Sequence, residues 1–458
     1  MTVVVVNTPG PQGAPGAQGV PGPQGAPGTN GTNGTNGAPG ATGATGPQGL
    51  QGPRGDTRRI TGQRCYFDAP SGQAQGPTQG NIKIGVTIPA GATDLQVVLS
   101  NAWGSETAPG TNTITYSGYW EYPAGTFTQI TWAGATSVTI AVAAQVTSDA
   151  ATNLVVPPGA SANLRLFITC PAGGVFPYAM YAADTGCGYI EDTGATGNQS
   201  NNASFTYPQP NAYMPSPTAI IGVPLLPVKS FAFLGDSITR GTGDGQDGGW
   251  AIRMLGGGQS TTHSYVNLGV GGELATTGFI PHHGLRRGGY KFADVICTNY
   301  GTNDIFSRAQ TFVQMQANLI ASWWAMAGTG ADVYQGTLLP RTSSTDGWSS
   351  PGGQTPIAGF EPGGTRSQLN AWIRAGAPMV NGVGVAVGTS GAVVAGQAMH
   401  PLKGYFEMGD AVETVRDSGL WKTTGSVNGW TSDGIHPGGL NGQGAAAIAT
   451  LAATFLPV

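Results

Sequence analysis

The run Phe231-Ala232-Phe233-Leu234 is apolar and leads straight into Gly235-Asp236-Ser237-Ile238-Thr239. A serine hydroxyl is a poor nucleophile at neutral pH unless a base takes its proton. The five histidines of the chain, His263, His282, His283, His400 and His436, are the candidate bases. His436 stands three residues after Asp433, in Thr431-Ser432-Asp433-Gly434-Ile435-His436-Pro437. In that spacing a carboxylate can hold one ring nitrogen while the other faces a hydroxyl, the base–orienter logic of a hydrolytic triad. An oxyanion developing on a substrate also needs donors. The Gly-rich stretch Asn267–Glu273 offers backbone amides, and Asn303, in Gly301-Thr302-Asn303-Asp304, offers a side-chain NH2.

These residues need elements that bring them to one place. From about Pro227 onward the chain alternates strand with helix. The runs VKSFAFLGDS (228–237), DVICTNYGTND (294–304) and ADVYQGTLLP (331–340) read as buried strands, the first running into a turn, and 308–328, 367–376 and 441–456 read as helices. Such alternation predicts a parallel sheet covered by helices on both faces. In such sheets, sites form beyond the carboxyl ends of the strands. Ser237 is placed there, on a turn for which Gly235 permits a tight bend.

The blocks GDSIT, VNLGVGGE, GTND and DGIHP occur in that order, and the second half of the chain resembles an SGNH (GDSL-type) hydrolase. The resemblance implies a three-layer α/β domain and a serine esterase that needs no cofactor and no metal. Carried over by position, Ser237 is the nucleophile, His436 the base and Asp433 its partner. The Ser237 amide, the Gly272 amide and Asn303 form the oxyanion hole, with Gly271 the less favoured choice for the second donor. The stretch Arg366–Gly376 also resembles a helix that many such esterases carry before the last block.

Between about Arg58 and Val223 the texture is different. Short runs rich in β-formers, NIKIGVTI, DLQVVLSNAW, TNTITYSGYW, SVTIAVAAQV and NLRLFITC, are separated by Gly, Pro, Asn and Asp. They predict a β-sandwich, jelly-roll-like. The region is similar to the β-sandwich that precedes the catalytic domain in a group of microbial SGNH esterases, many of which act on acylated carbohydrates. Sugar binding and bracing of the active site are both open roles for it.

Glycine, 77 of 458 residues, recurs at every third position from Gly10 to Gly55 without a break. That strict period is the collagen signature, because only glycine fits at the crowded axis of three chains. The 45 residues from Pro11 to Gly55 would wind into a rod of roughly 140 Å at about 3.1 Å per residue. The Arg54-Gly55-Asp56 triplet and the Asn-Gly-Thr sequons at Asn30 and Asn33 follow from the repeat and carry no separate meaning.

Charged residues make up only 9% of the chain and the net charge is −4. Without a basic stripe, nucleic acid is not an expected partner. No apolar run is long enough to span a membrane. The first ten residues lack a basic n-region and a sufficient apolar core, so a classical signal peptide is not expected. The four cysteines match no zinc spacing; Cys170 and Cys187 could pair, and Cys297 reads as a buried free thiol. Several residues carry bland expectations. Asp304 caps its own helix; the single GDGQDGG stretch (243–249) is no calcium repeat; His282 and His283 form a polar rim with Arg286 and Arg287; and Trp348 and Phe360 either stack on a sugar or pack on the domain.

The expected organisation is an attachment segment (1–9), a collagen-like triple helix (10–57), an all-β sandwich (58–223) and an α/β hydrolase domain with a parallel sheet (224–458). The expected function is removal of short acyl groups, O-acetyl foremost, from a bacterial surface polysaccharide. The expected setting is a homotrimeric fibre borne on a phage virion, whose N-terminus meets other virion proteins. A secreted or cell-surface esterase on a collagen stalk, and a non-catalytic glycan-binding fibre, are the alternatives.

Overall fold

The computed structural model describes residues 57–67, 76–102, 112–181, 186–208, 213–244, 249–257, 262–281 and 283–458. The attachment segment, the collagen-like repeat, the Arg-Gly-Asp triplet, the sequons, His282 and most of GDGQDGG lie outside these residues.

Phe231–Leu234 forms the strand that ends at the serine turn, and all four side chains are buried. It pairs in parallel with Tyr265–Asn267 on one side and Val295–Thr298 on the other. Asp332–Gly336 and Gly404–Phe406 extend the sheet, again in parallel. Alternate residues face opposite layers. Phe231 and Phe233 pack with Trp250, Ile448 and Ala449 of the helices Gly249–Met254 and Gln443–Ala452. Ala232 and Leu234 belong to the core built with Leu319, Trp323 and Met326 of helix Phe312–Ala327. This is the expected three-layer α/β arrangement, with both faces of the sheet covered.

Helix Phe312–Ala327 starts where the sequence provides a full capping box, Thr311 and Gln314 satisfying each other's backbone donors. Its buried Trp323 stacks on Trp372 of helix Thr365–Arg374 at 5.6 Å. Among the described residues, no helix is long and apolar enough to cross a membrane.

The preceding region is antiparallel. One sheet runs Cys187–Asp192, Gln79–Thr87, Ser161–Thr169, Ile114–Glu121 and Phe127–Gln129, with Ser137–Ile140 also paired to Ile114–Glu121. A four-stranded sheet runs Arg59–Ile60, Ala219–Pro224, Ala92–Ser100 and Gln145–Thr147. Period-two burial, with Ile82, Ile84 and Val86 inside, fits strands with one face on a core.

Three details differ from the sequence reading. SVTIAVAAQV is two strands in two sheets, because the chain turns at Ala143, whose φ is 55°. Cys65–Tyr66 leaves the antiparallel region and adds a parallel edge strand beside Tyr265–Asn267. Cys170 and Cys187 do not form a disulfide with each other. Strand Gln79–Thr87 lies between their strands; Thr169 pairs with Gln79 at one end and Cys187 with Ile84 further along. Five residues of strand separate those levels by roughly 17 Å, beyond disulfide reach.

The antiparallel region also touches the α/β domain. Arg59 Nε lies 2.6 Å from Asp294 Oδ1, and Gln145 Nε2 donates to Leu285 O at 2.8 Å.

Candidate active site

The turn after Phe231–Leu234 is set by crowding and by a cap. A Cβ on Gly235 would stand 2.0 Å from Asn299 Oδ1 and 2.3 Å from Thr239 Oγ1, so a side chain there would break the Thr239–Asn299 hydrogen bond. Gly235 is therefore needed for close approach rather than for an unusual φ. Asp236 is the N-cap of the short helix Ser237–Arg240 and accepts from Ile238 N at 2.9 Å. Ser237 thus stands at the first helical position, half-buried, beyond the sheet edge.

His436 Nε2 lies 2.7 Å from Ser237 Oγ, and His436 Nδ1 lies 2.6 Å from Asp433 Oδ2. The second Asp433 oxygen accepts from the backbone N–H groups of Ile435 and His436, each at 2.9 Å. Burial pushes the Asp433 carboxyl up, but the His436 ring and these N–H groups outweigh it and hold the carboxyl well below the usual carboxylate range. The turn that carries both residues needs Gly434, whose φ is 75° and whose Cβ would sit 2.0 Å from Thr342 O. Trp348 braces the same turn: its Nε1 donates to Thr342 Oγ1 at 2.9 Å, and its ring abuts Gly434. Trp348 packs on the domain, as does Phe360, which is fully buried.

The backbone N–H groups of Ser237 and Gly272 have no hydrogen-bond partner among the described residues. Gly272 is exposed, with φ 74° and open space around it. Asn303 Nδ2 donates to Glu273 O at 3.1 Å and to Asp236 Oδ2 at 3.3 Å, linking the Gly-rich turn to the serine turn. Burial pushes the Asp236 carboxyl up to about 6; the Ile238 N–H and His436 oppose the rise, while Asp304 and Glu273 add to it.

The sequence reading missed what holds the Gly-rich turn. Glu273 receives a bidentate pair from Arg286, at 2.6 and 2.7 Å, and the Tyr300 hydroxyl at 2.5 Å, all buried. Arg286 lies against the rings of Phe279 and Phe67. Phe67 comes from the edge-strand excursion of the preceding region, which therefore helps brace the turn that carries Gly272. Asp304 does not cap its own helix. It is fully buried and accepts from Ala275 N, Thr276 N and Thr276 Oγ1 at 3.0–3.2 Å, tying the segment after the Gly-rich turn to the helix that carries Asn303.

The other described histidines stand apart from this constellation. His263 is bonded through Nδ1 to Thr262 and meets the Phe231 ring edge-on. His400 is buried between Ala377 O and Leu402 N. His283 is no rim residue: it stacks on Phe279, bonds the Tyr290 hydroxyl, and is pushed down to about 4 by burial and by Arg286 and Arg287. Asp244 of the GDGQDGG stretch is paired with Arg253. Among the described residues, no group of three or more His, Cys, Asp or Glu side chains could hold a metal ion.

Residues 233–440 match the GDSL-like Lipase/Acylhydrolase family, and residues 7–60 match the collagen triple helix repeat. No curated protein sequence matches the chain. Among solved structures, a GDSL-like lipase from Bacteroides thetaiotaomicron is 16% identical and covers 49% of this chain and 85% of its own, with TM-score 0.28. A carbohydrate esterase family 3 protein from Talaromyces cellulolyticus is 14% identical over 50% of this chain and 96% of its own, with TM-score 0.31. A peptidoglycan O-acetylesterase is 10% identical over 90% of this chain and 80% of its own, with TM-score 0.35. At these TM-scores the likenesses add nothing to the family match. Residues 233–440 belong to the GDSL-like lipase/acylhydrolase family, and the chain that carries them is an ester hydrolase with a collagen triple-helix repeat ahead of it.

Proposed function

We propose that the enzyme removes short acyl groups, acetyl foremost, from a carbohydrate, and that Ser237, His436 and Asp433 carry the reaction. The observation that supports this reading most is the unbroken hydrogen-bonded series from Asp433 through His436 to Ser237. Ser237 Oγ attacks the ester carbonyl while its proton passes to His436 Nε2. Asp433, ionised, holds the ring and stabilises the imidazolium. The N–H groups of Ser237 and Gly272 take the oxyanion. Asn303 joins them by giving up one of its two long bonds, to Asp236 or to Glu273 O. When the tetrahedral intermediate collapses, the C–O bond breaks and the leaving alcohol takes the proton from His436. Water then attacks the acyl-enzyme with His436 as base again, releasing the acid and restoring Ser237.

The Gly272 turn is exposed and open. An exposed turn at this oxyanion donor leaves room for an ester carried on the side of a polymer. The collagen repeat adds a trimer to this reading. Three esterase sites on one rod suit a fibre that works along a bacterial surface polysaccharide, carried on a virion.

The test is acetate release from 4-nitrophenyl acetate and from O-acetylated bacterial polysaccharides, comparing the full chain with Ser237→Ala. Release by the full chain alone supports the reading. Equal background release by both, with retained glycan binding, would make it a binding fibre. Sedimentation of the full chain reports the trimer, and detection in purified particles rather than culture fluid reports the virion.

A further inference from the structure

Arg341 follows the strand Asp332–Gly336 at its carboxyl end. Its neighbour Thr342 donates its N–H to Gly434 O at 3.0 Å, inside the turn of Asp433 and His436. The guanidinium lies on the ring of Phe306, with 3.6 Å from Cζ to the ring centroid. Phe306 belongs to the helix Thr302–Arg308, which also carries Asn303. Arg341 therefore spans the gap between the two segments that supply Asn303 and Asp433.

Only 8% of Arg341 is exposed, whereas Phe306 beside it is 48% exposed. None of the five guanidinium N–H groups has a hydrogen-bond partner among the described residues, and Nη1 is shielded from solvent as well. The buried Arg286 and Arg366 of this domain are paired, with Glu273 and Glu413, and the half-buried Arg374 is paired with Glu407, Asp410 and Asp417. A guanidinium does not shed its proton, so leaving one buried and unpaired is costly. Burial weakens its hold on the charge, and the nearby Asp236 and Asp433 carboxylates act against that. Neither forms an ion pair with it: Asp433 is committed to His436, and Asp236 to Ile238 N and Asn303.

We propose, resting on the esterase reading above, that Arg341 and Phe306 form a subsite for a carboxylate on the acylated sugar. The substrate is then an O-acylated acidic saccharide, such as a uronic-acid polymer. The planar fork of the guanidinium matches a carboxylate edge to edge. The exposed Phe306 ring offers its free face to the same sugar.

The experiment measures binding to the full chain carrying Ser237→Ala, by calorimetry, so that turnover plays no part. The probes are trisaccharides of glucuronic, galacturonic and mannuronic acid, each compared with its neutral methyl ester. At least one acid is expected to bind about 10- to 100-fold more tightly than its ester. Adding Arg341→Met is expected to bring that pair within about 3-fold, with Arg341→Lys in between. Acids that bind no better than their esters, or a preference that survives Arg341→Met, overturn the subsite. If Arg341→Met does not fold, Phe306→Ala carries the test. It is expected to weaken the acid and the ester alike while the ratio between them persists, and unchanged binding of both overturns the proposal. Hydrolysis of 4-nitrophenyl acetate by the chain with Ser237 intact reports the esterase separately, so a failed subsite and a failed esterase are told apart.

Discussion

His436 Nε2 stands 2.7 Å from Ser237 Oγ although 199 positions of sequence separate the two residues. Neither is adjusted by its local sequence to find the other. Ser237 is fixed by the Asp236 cap on the first strand's turn, and His436 by the Asp433 and Gly434 turn near the end of the chain. Both turns meet at one edge of the parallel sheet.

Asp433→Asn is expected to lower kcat by roughly 10⁴-fold, because the ring loses the partner that sets its tautomer and stabilises its charge. The full chain should keep its fold by circular dichroism. Because the Asp433 carboxyl is held below the usual range, it stays ionised through mild acid. Its stabilising contribution is present at neutral pH and fades only as the pH falls through that lowered value. A loss of activity of less than about 10-fold in steady-state assays would count against this role.

Asn303→Ala is expected to cost roughly 10²- to 10³-fold in kcat with a small change in KM, as for other single oxyanion donors. It also breaks the bonds to Asp236 and Glu273 O, so the urea midpoint should fall slightly. A change confined to KM would assign Asn303 to ground-state binding instead.

Arg286→Met strands the Glu273 carboxylate in a buried site and is expected to destabilise the chain by about 3–5 kcal/mol. The double variant with Glu273→Met should recover part of that loss, because the charge goes with its partner. The recovered protein should still show a lowered kcat, since the Gly272 turn has lost its anchor. Recovery of full kcat would show that the pair is purely structural.

Asp236 predicts a pH effect on stability. Its buried carboxyl titrates near 6 in the native chain and near 4 once unfolded. The native state therefore holds more protons between about 4 and 6, and stability declines as the pH climbs through that window. The full effect amounts to about 3 kcal/mol. Asp236→Asn keeps the cap oxygen for Ile238 N but carries no charge. Asp236→Asn should accordingly be more stable relative to the parent at pH 7.5 than at pH 4.5. An equal difference at both pH values would mean that Asp236 is ionised at lower pH than its burial suggests.

Much of this was legible along the chain because the signals are local. Strand periodicity, helical spacing over 308–328, the tripeptide glycine period and the four blocks around Ser237, Gly272, Asn303 and His436 are each written within a few residues. What could not be read are contacts between distant segments. Glu273 and Arg286 look like ordinary surface charges in sequence, and nothing in GTND shows that Asp304 holds Ala275 and Thr276 rather than its own helix. SVTIAVAAQV looks like one strand because all its residues suit a strand; its division follows from two sheets competing for the two halves.

The sequence by itself determined the kinds of domain and the chemistry on offer: a collagen repeat, a β-rich region, and an α/β domain with a serine, a histidine beside an aspartate, and amide donors. Only the tertiary structure decided which groups are charged, paired and within reach. It placed Phe67 beneath Arg286, and it left the Arg341 guanidinium without a hydrogen-bond partner among the described residues, between Asn303's helix and Asp433's turn. The physical reason is that burial, and the distance between charges, depend on how remote segments pack, whereas periodicity and capping depend only on near neighbours.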